Sequence, residues 1–232
     1  EKRMKQYLIA PSILSADFAR LGEDTAKALT AGADVVHFDV MDNHYVPNLT
    51  IGPMVLKSLR KYGITAPIDV HLMVNHPEDI IPMCLEAGAD IISFHPETAN
   101  NKIFRLLNQI KDAGKKCGVV LNPATPAESI AEYAHLLDKV TVMSVDPGYA
   151  GQKFIPESLN KIRKLINMRK NNGYHYLTEI DGSCNEQTFG QIAESGVDVF
   201  IVGTSGLFSL HEDVSQAWDR MIEIFQRETV AA

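Results

Sequence analysis

Ala31-Gly32-Ala33-Asp34-Val35-Val36-His37-Phe38-Asp39-Val40-Met41-Asp42 holds, in one short run, the end of a helix, a tight turn and an apolar strand. Gly32 suits the first point of that run, because glycine takes the left-handed conformation that commonly closes a helix. Val35 and Val36 open the strand, and the polar pair Asn43-His44 follows its end. The phrase recurs as Ala87-Gly88-Ala89-Asp90-Ile91-Ile92 and as Ser195-Gly196-Val197-Asp198-Val199-Phe200. A repeated order of helix end, Gly, small residue, Asp and apolar strand is the mark of successive βα units.

Working outward, Leu8-Ile9-Ala10 reads as a first strand that ends at Pro11-Ser12. Ser15 is the expected N-cap of a helix over 17–31. Further helices are expected over 51–62, 77–87, 100–113, 126–135, 156–171, 186–195 and 212–227, and further strands over 67–72, 90–95, 116–121, 139–144, 175–181 and 198–203. That is eight strands and eight helices in strict alternation. The strands are short and rich in Val and Ile, as parallel strands covered on both faces should be. The connections are short and need no linker, so the reading is one (β/α)₈ TIM barrel over 1–232, with 1–6 as an N-terminal extension and Met4 as the natural start. A doubly wound open sheet is the alternative, but it would not gather the ends of strands two, three and seven at one point.

The chain has 232 residues, of which 45% are apolar, ample for one core of this size. A formal net charge of −7 argues against nucleic acid as a partner, though not against a small phosphate held by local dipoles. Cys84, Cys117 and Cys184 are an odd, widely spaced set and not a disulfide framework. No apolar run is long enough to span a membrane and no signal peptide is evident, so the cytoplasm is the expected compartment.

Side chains alternate across a strand. His37, Asp39 and Met41 therefore share one face, as do Asp69, His71 and Met73, and likewise Glu179 and Asp181. In barrels of this kind the active site lies at the carboxyl ends of the strands, where His37, Asp39, His71 and Asp181 all fall. Neutral imidazoles with carboxylates suit one divalent ion such as Zn²⁺, Mn²⁺, Fe²⁺ or Co²⁺. Any one of these residues alone is better explained as a core histidine or a loop cap, but four on a common rim favour a shared cation.

Phosphate signals come late. Asp146-Pro147-Gly148-Tyr149-Ala150-Gly151-Gln152 follows the sixth strand, Asp181-Gly182-Ser183 the seventh, and Val202-Gly203-Thr204-Ser205-Gly206 the eighth. Glycines let backbone N–H groups approach an anion, and phosphate sites are common after strands seven and eight of a barrel. Each is an ordinary turn by itself, and their succession is the signal. Met41, Met73 and Met143 near strand ends read first as gap-fillers of the core and second as a soft apolar lid over a planar intermediate. Cys184 sits beside these groups with nothing to lower its pKa and reads as inert, and Trp218 reads as packing of the last helix.

Ser12, the run His37–Asp42, His71-Leu72-Met73-Val74, Asp146-Pro147-Gly148 and Asp181-Gly182 together resemble the ribulose-phosphate 3-epimerase family, over about Leu8 to Phe208. Through about Val74 the chain resembles the bacterial ribulose-phosphate 3-epimerases. Beyond it, His95-Pro96-Glu97-Thr98, Ala150-Gly151-Gln152, Asp181-Gly182-Ser183-Cys184-Asn185 and Val202–Phe208 look closer to the D-allulose-6-phosphate 3-epimerase branch. The chain departs from the common pattern at Asn43, Ala150 and Ser183, each in place of a Gly, and at Thr204 in place of a Ser. The resemblance implies a (β/α)₈ isomerase with one divalent metal per chain on His37, Asp39, His71 and Asp181. Asp39 and Asp181 would be the acid/base pair. Ser12, Met41, His71, Met73, Met143, Gly148, Tyr149, Ala150, Gly151, Gly182, Ser183, Gly203 and Thr204 would surround a phosphorylated ketose. It implies a homo-oligomer, dimer or hexamer. The implied reaction interconverts D-ribulose 5-phosphate and D-xylulose 5-phosphate, with D-allulose 6-phosphate and D-fructose 6-phosphate as the alternative pair. An inactive phosphosugar-binding barrel, or a decarboxylase or synthase of the same fold, is the reading of another class.

Overall fold

A computed structural model describes residues 7–230, so the expected extension over 1–6 lies outside the described residues. Eight parallel strands form one sheet: β1 (Leu8–Pro11), β2 (Val36–Met41), β3 (Ile68–Met73), β4 (Ile91–Phe94), β5 (Lys116–Leu121), β6 (Lys139–Met143), β7 (Leu177–Asp181) and β8 (Val199–Val202). Their order is β1-β8-β7-β6-β5-β4-β3-β2, and a parallel bridge from Ser12 to His37 draws the two ends together. This is the expected (β/α)₈ barrel. Helices α1 (Leu21–Ala31), α2 (Pro53–Tyr62), α3 (Pro77–Ala87), α4 (Ile103–Asp112), α5 (Ser158–Asn172), α6 (Phe189–Glu194) and α7 (Val214–Val230) run between or after the strands. The buried stripes of α2 (Leu56, Leu59) and α4 (Leu106, Leu107, Ile110) pack into the core shared with the strands.

The recurring Gly-x-Asp phrase has a common structural role. Gly32, Gly88 and Gly196 take positive φ of 130°, 98° and 84°, as the turn out of each helix requires. The aspartate that follows then accepts a backbone N–H from the neighbouring strand. Ile9 N donates to Asp34 Oδ2 at 2.9 Å, Ile68 N to Asp90 Oδ2 at 3.0 Å, and Thr178 N to Asp198 Oδ2 at 2.9 Å. Asp138 does the same for Cys117 N at 2.9 Å without a preceding Gly, which hides it from the pattern. These bonds satisfy strand-end donors that a parallel ladder leaves open, and they tie β1 to β2, β3 to β4, β5 to β6 and β7 to β8 at the base of the barrel.

Two expectations need correction. Ser15 does not cap the first helix. It ends a 3₁₀ turn (Ile13–Ser15), and its hydroxyl meets Thr204 Oγ1 at 2.8 Å across the β1/β8 seam. Asp17 caps the next turn, Phe18–Arg20, by accepting the Ala19 N–H, and α1 starts only at Leu21. The helix expected over 126–135 is instead two 3₁₀ turns, Ala127–Ile130 and Ala134–Leu136. Buried Ala127, Ile130 and Tyr133 recur every third residue, which suits three residues per turn rather than 3.6.

Candidate active site

Register sets the site. His37 lies beside Asp69, Asp39 beside His71 and Met41 beside Met73 along the β2/β3 ladder, and Met143 lies beside Asp181 along β6/β7. The barrel interior is therefore tiered. The lower tier is charged: Lys139 Nζ donates to Asp69 Oδ2 and, at 2.6 Å, to Glu179 Oε1, which also accepts from Thr141 Oγ1 at 2.8 Å. Burial opposes the charge on Asp69, but the Lys139 ammonium and the His37 imidazole together outweigh it and hold that carboxyl at about 2.

Above this tier four ligand atoms converge. His37 Nε2 stands 3.1 Å from Asp39 Oδ1 and 3.7 Å from Asp181 Oδ2, and His71 Nδ1 stands 3.0 and 3.8 Å from the same two oxygens. All four lie within 4.8 Å of one another. A tetrahedral ion with bonds of about 2.0–2.2 Å separates its donors by about 3.3–3.6 Å, so the set fits one divalent cation with small adjustments. The chemistry fits as well, since two imidazoles and two carboxylates are borderline donors suited to a transition metal. The other nitrogen of each imidazole is buried against a partner. His37 Nδ1 faces Asp69 Oδ2 at 3.2 Å, and His71 Nε2 faces His95 Nε2 at 2.8 Å.

The two carboxylates differ. Burial alone would raise Asp39, but the charge of His37 and hydrogen bonds from His37 and His71 hold it well below the usual range. Burial, and then the negative charge of Asp39, push Asp181 up to about 7. Near neutral pH the metal-free site thus keeps one carboxyl ionised and lets the other carry a proton.

A cavity opens over this cluster. Asp39 and Asp181 lie in its floor with Ser12, and Met41, Met73 and Met143 line it. Gly148, Tyr149, Ala150, Gly151, Gly182, Ser183, Gly203 and Thr204 all reach the same cavity, where the loops after β6, β7 and β8 meet. His37 and His71 are fully buried beneath it and do not line it. Met41 and Met73 pack on Val46, and Met143 on Val120 and Val145. Asn43 and Ser183 have φ of 57° and 51°. The left-handed backbone that favours glycine is thus taken by two other residues, one after each carboxylate strand. Cys184 is buried, and burial followed by the Asp181 charge raises its thiol further, which keeps it inert. Trp218 is buried in the core as expected.

Sequence reasoning left several groups without a role. Lys139 is one: a lysine as the first residue of an otherwise apolar strand, ahead of Val140-Thr141-Val142, is the available signal. Asp69 and Glu179 were placed on the right faces, but nothing in the sequence pairs them. His95, Glu97, Tyr45 and Asn122 form a cluster at the rim, where Glu97 Oε1 accepts from Tyr45 Oη and, at 2.6 Å, from Asn122 Nδ2. No pattern links those four residues along the chain.

Among the described residues, no helix is long and apolar enough to cross a membrane. Among solved structures, tryptophan synthase alpha-subunit from Pyrococcus furiosus (the E244A mutant) superposes with a TM-score of 0.67 at 12% identity, covering 99% of this chain and 100% of that one. Thiamine phosphate pyrophosphorylase from Pyrococcus furiosus does so with a TM-score of 0.63 at 17% identity, covering 96% of each chain. At these identities the likeness concerns the barrel alone. Sequence relatives say more. The ribulose-phosphate 3-epimerase of Escherichia coli K12 is 59% identical over 202 residues, 87% of this chain and 89% of its own. That of Buchnera aphidicola subsp. Schizaphis graminum is 53% identical over 205 residues, 88% of this chain and 89% of its own. The likeness to these enzymes thus extends well beyond the N-terminal third. A sequence model of the family matches residues 8–208, and the chain belongs to the ribulose-phosphate 3-epimerase family.

Proposed function

We propose that the chain is a ketose-phosphate 3-epimerase that interconverts D-ribulose 5-phosphate and D-xylulose 5-phosphate by proton transfer at C3. The observation that carries this reading is the convergence of His37 Nε2, His71 Nδ1, Asp39 Oδ1 and Asp181 Oδ2 within 4.8 Å, under a cavity walled by the loops after β6, β7 and β8. A divalent ion on those four atoms, one per chain, would supply a Lewis acid for the negative charge that develops on the substrate oxygens.

Asp39 and Asp181 come from strands three steps apart around the ring and serve as bases on opposite faces of C3. Inversion needs this arrangement: one carboxylate removes the proton while the other, protonated, delivers one to the far face. Ser12 holds one oxygen of Asp39, at 2.6 Å. The methionines exclude water above the reacting carbon, and the backbone N–H groups of the late loops, Gly203 and Thr204 among them, receive the phosphate. The protein is read as a homo-oligomer by family resemblance and as cytoplasmic by default, and zinc, iron, manganese and cobalt all suit the donor set.

A second reading within the same chemistry takes D-allulose 6-phosphate as substrate. It is favoured by Ala150-Gly151-Gln152 and Gly182-Ser183-Cys184-Asn185 in the loops that wall the cavity. Steady-state kinetics on both sugars decide: a kcat/KM for the pentose phosphate at least tenfold higher supports the first reading, and the reverse installs the second. Metal analysis of protein purified without chelator tests the cation. Full activity retained in strong chelator, with no bound transition metal, would remove it.

A further inference from the structure

His95 is fully buried on the loop after β4, and its Nε2 lies 2.8 Å from His71 Nε2. Its ring is also covered by that of Tyr45, with centroids 4.8 Å apart. The atoms facing each other are both imidazole nitrogens, so one must carry a hydrogen and the other a lone pair. The other nitrogen of His71, Nδ1, is the one that converges with His37, Asp39 and Asp181. A cation there needs the Nδ1 lone pair, which leaves the single hydrogen of neutral His71 on Nε2. His95 Nε2 must then be the acceptor, and the hydrogen of His95 moves to its Nδ1. That atom is buried with no hydrogen-bond partner, and its nearest carboxylate oxygen, Glu97 Oε1, is 3.7 Å away.

We propose that His95 is a positioning residue for cation binding: as the Nδ1–H tautomer it accepts the His71 Nε2–H, and so holds the His71 ring with Nδ1 presented to the metal. This rests on the metal-site reading above. The pairing of a ligand histidine with a buried acceptor fixes both the tautomer and the ring angle, and losing such a partner typically costs about 10–100-fold in metal affinity. Asp69 plays the corresponding part for His37 through Nδ1. The two ligand imidazoles are thus held by partners of different charge, a carboxylate for one and a neutral ring for the other.

Nitrogen-15 NMR of the histidine rings in the zinc-loaded, unmutated protein tests the tautomer directly. The expected result is His95 protonated at Nδ1 and bare at Nε2, with His71 protonated at Nε2. A zinc-loaded protein with the hydrogen on His95 Nε2 overturns the proposal while leaving the metal site standing. A protein that binds no zinc or other transition metal overturns the metal site, and this inference with it. Zinc affinity, measured by competition with a chromophoric chelator, provides a second readout. His95→Leu should bind about 10–100-fold more weakly, and His95→Gln, whose side-chain oxygen can accept in place of Nε2, should recover most of the loss. Parent-like zinc affinity in a folded His95→Leu variant overturns the proposal, and if that variant does not fold, the NMR of the parent protein decides.

Discussion

The Ser12 hydroxyl donates to Asp39 Oδ2 at 2.6 Å, while Asp39 Oδ1 faces His37 Nε2 and His71 Nδ1 at 3.1 and 3.0 Å. One carboxylate is thereby held at both ends, by the residue after β1 on one side and by the two imidazoles on the other. A hydrogen bond to a charged group is worth about 1.5–3 kcal/mol. Ser12→Ala should therefore lower kcat about tenfold or more, with a smaller change in KM. A loss confined to KM would make Ser12 a substrate contact alone.

Lys139 is the lone cation of the lower tier among the described residues, set between Asp69 and Glu179. Removing one partner of a buried ion pair typically costs about 3–5 kcal/mol, because the remaining charge is left without compensation. Lys139→Met should lower the thermal midpoint by about 6–20 °C, on a scale of about 2–4 °C per kcal/mol at this chain length. Adding Asp69→Asn and Glu179→Gln to it should recover much of the loss. A midpoint for Lys139→Met within a degree or two of the parent would show that the tier is not held by charge.

The barrel was legible because its βα junctions repeat in spelling, and because strand alternation puts His37, Asp39, His71 and Asp181 on inward faces whatever the loops do. The lower tier was not, since pairing Lys139 with Asp69 needs the ring to close across seventy residues of chain. Asp138 escaped for a simpler reason: it stitches β5 to β6 as Asp34 and Asp90 do for their strands, but without the glycine that flags them. The two 3₁₀ turns over Ala127–Leu136 were read as one helix because period 3 and period 3.6 barely separate over two turns.

Glycines of the late loops make different predictions. A Cβ on Gly203 would meet only Ser15 Oγ, at 3.4 Å, so Gly203→Ala should be mild. Gly203→Leu should raise KM about tenfold or more with kcat less affected, because its side chain would keep the phosphate from the backbone. An unchanged KM would move the phosphate elsewhere. At Gly206 a Cβ would stand 2.1 Å from the Cys184 carbonyl oxygen. Gly206→Ala should therefore push the loops after β7 and β8 apart and destabilise the fold by about 1–3 kcal/mol, measured as a shift in the urea midpoint.

Asp39 and Asp181 are each offered both as ligand and as acid/base group, so a drastic change at either could simply lose the metal. Asp39→Asn and Asp181→Asn keep the shape and one ligand oxygen. Loss of one positioned acid or base costs about 10² to 10⁴ in rate, so each metal-loaded variant should fail to epimerise. They should differ in exchange with solvent. If Asp39 is the base toward one epimer, Asp181→Asn still lets Asp39 remove the C3 proton of that epimer. In D₂O deuterium then washes into that epimer alone, provided Asp39 trades its proton with solvent before returning it. Asp39→Asn should wash deuterium only into the other epimer. Proton NMR of C3–H loss for each epimer with each variant reads this out. Equal exchange of both epimers by both variants would rule out one base on each face, and exchange by neither, with metal bound, would mean that neither carboxylate works without the other in place.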